Sequence, residues 1–116
     1  MLQCQLSQEK SVADILCFYR DRYFVWSTVT DAPGTYGMTE RECVEWFSLN
    51  NNIRGFGHAA GLMALARKSG TTSSLLSLDD IDYWNRAGHS ETRLSLDEIY
   101  RIYCEERRLP TATEGV

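Results

Sequence analysis

Tyr23-Phe24-Val25-Trp26-Ser27-Thr28-Val29 is dense in aromatic and β-branched residues, and Asp31-Ala32-Pro33-Gly34 behind it is a turn signal. The stretch predicts a strand over 23–29. A lone strand is unstable, so this one requires a partner. Two candidates stand nearby: Leu2, Cys4 and Leu6 alternate as a short strand would, and Thr35–Met38 can fold back beyond the turn. On the other side, Val12, Ile15, Leu16 and Tyr19 recur at the helical period after a cap at Ser7 or Ser11. That spacing predicts a first helix over about 8–21.

Further along, three segments begin with the same device. Thr39 stands three residues before Glu42, Ser77 three before Asp80, and Ser95 three before Glu98. A hydroxyl at the cap accepts a bond from an orphan amide of the first turn, and the acidic side chain bonds back to the cap amide. Leu76 and Leu94, just ahead of two of these caps, are placed to pack on Ile81 and Ile99. The apolar stripes then predict a second helix over about 40–50 with Cys43, Trp46 and Phe47 inward, ending at Asn50–Asn52. A third over about 56–69 places Ala59, Ala60, Met63 and Ala66 on one stripe and stops at Gly70. Inside it, Gly55, Gly57 and Gly61 each cost about 1 kcal/mol of helix propensity, which suggests close backbone contact there. The last two helices fall at 78–87 and 96–108, with Gly88 and Pro110 as stops. The similarity between 76–84 and 94–103 spans two helix starts only and is no repeat.

The expected fold is therefore mainly α: a compact bundle of about five short helices with one short β-strand or small hairpin. The chain has 116 residues, 43% of them apolar and 24% charged. That is one ordinary globular domain over 1–116, with 109–116 expected as a flexible tail. No signal peptide or apolar span is visible. The four cysteines (Cys4, Cys17, Cys43, Cys104) are scattered, which suits reduced thiols in the cytoplasm.

The net charge is −4, and residues 71–116 carry five basic and nine acidic side chains, so the deficit lies in the last third. A net acidic chain lacks the cations that replace phosphate counterions, so direct nucleic-acid binding is not expected. Nor is a membrane partner. The ten arginines against two lysines fit either a base-composition bias or interface use.

No metal motif is present: no two cysteines share a ligand spacing, and His58 and His89 stand apart. Metal and cofactors are both expected to be none. Asp79, Asp80 and Asp82 lack the alternation of a calcium loop; the first two suit a first helical turn, and Asp82 is expected in solvent. Gly55, Gly57 and Gly61 depart from the dinucleotide spacing. A catalytic thiol would have to be Cys43 or Cys104 working with His58 or His89, the alternative reading as a small hydrolase or transferase.

The remaining feature is the rings: three Trp, six Tyr and four Phe. Tyr100, beside Arg101, falls off the stripe of Ile99, Ile102 and Tyr103, Tyr83 stands next to Trp84 with Arg86 and Arg93 following, and Phe18 falls outside its stripe. Trp, Tyr and Arg dominate binding hot spots, because they bury area and still make a polar contact. These six residues (Tyr83, Trp84, Arg86, Arg93, Tyr100, Arg101) are the expected partner-binding set, and the expected function is non-catalytic binding of another protein. No motif ties the chain to a family. Its size and acidity are those of small inhibitors carried by phages and mobile elements, anti-CRISPR proteins among them. A homodimer joined through the 23–29 strand is compatible with this reading.

Overall fold

The computed structural model describes residues 14–50 and 55–115, with the backbone alone at Asn50 and at 55–58. Strand β1 (Asp14–Tyr19) turns at Arg20-Asp21 into β2 (Arg22–Ser27), and a second turn leads to the two-residue β3 (Ala32–Pro33). Helices α1 (Glu40–Asn50), α2 (Gly55–Ser69) and α3 (Leu78–Trp84) follow. A short 3-10 turn (His89–Glu91) precedes α4 (Leu96–Ile99), which continues without a break into a π-helical segment, Tyr100–Glu105. Among the described residues the fold is thus four helices and a three-stranded antiparallel sheet in the order β1-β2-β3. This corrects the expected five-helix bundle with a single strand.

The difference arises at 14–19, the described part of the expected first helix; Leu2, Cys4, Leu6, the Ser7 and Ser11 caps and 8–13 fall outside the described residues. Ile15 and Cys17 face one cluster with Phe24 and Trp26, while Leu16 faces another with Tyr23 and Val25. A strand covered on both faces is apolar on both, so its period of two disappears, and a short apolar run cannot be told from a helix by spacing. The turn also hides itself. Arg20 takes φ 59°, a conformation that two-residue hairpins usually give to Gly or Asn.

The strand expected over 23–29 is β2, shorter at its end because Thr28–Asp31 turn, with Asp31 N donating to Ser27 O at 2.8 Å. Its main partner is β1, in register from Asp14↔Ser27 to Tyr19↔Arg22. Its other edge takes β3 and then Met38, whose backbone exchanges two bonds with Tyr23 at 2.7 and 2.8 Å. The expected return of 35–38 is therefore present. Because both edges of β2 are occupied within the chain, a homodimer paired through this strand has no open backbone to use. The free edge of β1 is covered too: Phe18 N bonds Gly70 O and Thr72 N bonds Leu16 O. Unpaired edges invite association, and this sheet leaves little of either exposed.

Two helical layers enclose the hairpin. On one side Cys43 and Phe47 of α1, Ala59, Met63 and Ala66 of α2, and Met38 pack on Leu16, Tyr23 and Val25. On the other, Ile81 of α3, Ile99 of α4, and Leu94, Ile102, Tyr103 and Cys104 pack on Ile15, Cys17, Phe24 and Trp26. Gly37 bonds Tyr103 O at 2.9 Å and lies so close to Cys104 that a Cβ there would meet its Cα at 2.6 Å. Gly61, by contrast, has nothing within 4 Å of where a Cβ would stand, so it is not the close contact its position suggested.

All three expected caps form. Ser77 and Ser95 make complete capping boxes with Asp80 and Glu98. Thr39 does so with Glu42, through bonds of 2.9 and 3.2 Å. Helix α3 stops at Trp84 rather than 87 because Asn85 intervenes. Its buried amide donates to Ile81 O and Leu94 O and accepts from the amides of Ala87 and Leu94. No described helix is long and apolar enough to cross a membrane.

Candidate functional site

The six expected contact residues separate into three groups. Tyr83 and Trp84 stand in solvent, 65% and 69% exposed, with ring centroids 4.7 Å apart and planes at 90°. Helix α3 turns Ile81 into the core and leaves 83–84, at its last turn, outside it. These two rings are the large aromatic surface that the second layer leaves uncovered.

The arginines are committed. Arg93 donates from Nε to Asp82 O at 2.7 Å and lies 3.4 Å from the Asp82 carboxylate. Asp82 also accepts from Leu96 N at 2.7 Å, so it joins α3 to the start of α4 instead of standing in solvent as expected. Arg86 reaches Asp31 at 3.8 Å and Glu91 at 3.6 Å. Arg101 meets Glu106 and Glu114 at 3.4 and 3.3 Å. Residues 109–115, the stretch expected as a flexible tail, lie against the body through that same Glu114. Arg108 grips it bidentately with both bonds at 2.7 Å, and Thr111 N donates to it at 2.8 Å.

Tyr100 is buried, 7% exposed, and is not a surface ring. Its own amide bonds Leu96 O and Asp97 O in the regular turn of α4, which sets it on one face with Leu96 and Tyr103. The π-helical segment begins there, with Glu106 N bonding Arg101 O five residues back, and Tyr100, Ile102, Tyr103 and Cys104 are all buried. Its hydroxyl donates to the Asp21 carboxylate, which raises the tyrosine pKa and lowers that of the aspartate. Its ring meets Tyr19 edge-on at 5.9 Å, and the Arg20 guanidinium lies 5.1 and 5.4 Å from the two ring centres. Phe18 packs on Tyr23 at 4.7 Å.

A groove of about 470 Å³, which no sequence signal marked, opens between the 29–32 turn, the 86–91 segment and Leu109-Pro110, with Tyr103 in its lining. Ser90, Glu91 and, in the facing turn, Asp31 adopt positive φ of 57°, 64° and 54°. Non-glycine residues there carry strain that the surroundings must hold. Arg86 spans the two walls through its pairs with Asp31 and Glu91.

The thiols offer little nucleophilic character. Cys17, Cys43 and Cys104 are buried and unpaired. Burial pushes Cys43 and Cys104 up to about 12 and raises Cys17 as well. Reactive cysteines need the opposite, a thiolate stabilised near the surface. His89 is exposed, with Nδ1 3.1 Å from Ser90 Oγ; Cys4 and the His58 side chain lie outside the described residues. Among the described residues no three His, Cys, Asp or Glu side chains converge as metal ligands do.

Comparison with known proteins finds no matching family model, no matching curated protein and no matching solved structure, which leaves the geometry to carry the functional reading.

Proposed function

We propose that this chain is a non-catalytic protein-binding module, a small inhibitor or regulator that acts by occupying the surface of a partner protein, with Tyr83 and Trp84 as its anchors. The observation that carries the reading is their joint exposure. Every other described Tyr, Trp or Phe ring is at least half-buried, yet these two neighbours form an edge-on pair that is 65% and 69% exposed. Rings of this kind gain most when a partner desolvates them. Arg86, two residues on, lines the groove and adds polar contact. Of the expected set, Arg93 is tied to Asp82 of α3, while Tyr100 and Arg101 bond Asp21, Glu106 and Glu114 elsewhere in the fold. Blocking a host protein in this manner, as phage-borne inhibitors do, is the mode of action the face suits. Reduced, buried thiols fit a reducing compartment such as the cytoplasm.

Affinity capture from the organism of origin tests the reading. The wild-type chain should retain a specific protein, and Tyr83→Ala and Trp84→Ala should each release it. Capture that survives both substitutions, or no specific capture at all, refutes it.

A further inference from the structure

We infer that the occupant of the Tyr83–Trp84 face is a basic protein segment that offers arginine to the two rings. The inference rests on the docking reading above and adds the chemistry of the partner. Asp79 and Tyr83 are four residues apart on α3, as are Asp80 and Trp84, so each exposed ring has a carboxylate one turn before it on the same face. Asp80 spends one oxygen on Ser77 N at 3.0 Å. Asp79 is exposed and enters no ion pair among the described residues.

Among the described residues no uncommitted cation lies near this face. All five arginines of the last third are already in ion pairs: Arg86, Arg93, Arg101, Arg107 and Arg108. Arg41 and Lys68, which form no ion pair among the described residues, lie on α1 and α2 across the sheet. A face with rings and carboxylates that no described cation pairs repels phosphate and attracts guanidinium, which stacks on aromatic planes and bonds carboxylates at once.

The same constellation is complete elsewhere in the molecule. At the hairpin turn, Tyr19 and Tyr100 meet edge-on, Arg20 lies over both, and Asp97 accepts from that arginine at 2.9 Å. On α3 the edge-on pair and the carboxylates are present, and the arginine is the part that a partner brings. An isologous second copy fits poorly, because it would set Asp79 and Asp80 against themselves.

The test uses short labelled Gly-Arg repeat peptides with Gly-Lys and Gly-Glu counterparts, read by fluorescence anisotropy against the full chain at physiological ionic strength. The Gly-Arg peptide should bind several-fold more tightly than Gly-Lys, and Gly-Glu should not bind. Trp84→Ala should weaken Gly-Arg binding about tenfold, the loss of a desolvated cation–π contact. Asp79→Asn should weaken it several-fold more than Glu105→Gln, which removes the same charge from the π-helical segment. Equal losses in all three variants mean unspecific attraction to an acidic protein and overturn the inference. So does binding of Gly-Lys as tight as Gly-Arg, or a dimer in sedimentation that Trp84→Ala dissolves. If a cellular partner depends on Trp84 but ignores Asp79→Asn, and Gly-Arg fails, the docking reading stands and the arginine assignment falls.

Discussion

Tyr23–Trp26 and Tyr83–Trp84 are both runs of large rings, and the fold treats them in opposite ways. In the first, all four side chains are buried, Trp26 to 1% exposure, because β2 lies between two helical layers and has no solvent face. In the second, the helix has one fully buried residue, Ile81, and the rings stay in solvent. Residue type is the same in both places. What differs is whether a second layer arrives to cover the face. Rings covered by the chain's own helices stabilise it; rings left open are available to another molecule.

The contrast is sharpest in stability. Trp26→Ala removes a fully buried ring from a cluster closed on all sides, and should cost about 3–5 kcal/mol, read from urea unfolding. A loss under about 1 kcal/mol would mean that this face of the hairpin is not closed. A smaller effect is expected at the C-terminal clasp. Arg108, then Thr111, bonds the Glu114 carboxylate and holds its pKa below the usual carboxylate range. A carboxylate depressed in the folded state stabilises above its unfolded pKa of about 4.3 and loses that contribution as pH falls toward the folded value. Glu114→Gln should therefore lower the melting temperature at neutral pH and flatten its decline below about pH 4. An acid profile identical to wild type would show that the grip on Glu114 adds nothing to the fold.

Much of this arrangement is readable from local chemistry. The caps at Thr39, Ser77 and Ser95 place three helix starts correctly, because a hydroxyl and a carboxylate three residues apart satisfy amides with no tertiary help. The strand at 23–29 is legible for a similar reason, its density of β-branched and aromatic residues. Ile15–Tyr19 is not, because burial on both faces erases the alternation that marks a strand. Tyr100 is misplaced for another reason: a stripe drawn through Ile99, Ile102 and Tyr103 leaves it out, although it stands three residues before Tyr103 and its hydroxyl finds Asp21 across the fold. Asn85 ends α3 through four bonds to residues as distant as Leu94, and nothing local announces that role. At the candidate site, Tyr83 and Trp84 are legible only as adjacent rings beside arginines; their exposure is a property of the fold. The ion pairs of Arg86, Arg93 and Arg101 depend on partners that only the folded chain assembles.

The smallest expected effect is the most informative. If the Tyr83–Trp84 face is spare to the fold, the double variant Tyr83→Ala/Trp84→Ala should unfold in urea within about 0.5 kcal/mol per substitution of wild type, as surface changes do. A loss of several kcal/mol, comparable to that of Trp26→Ala, would show that these rings serve the chain's own core and would contradict their assignment as a binding surface.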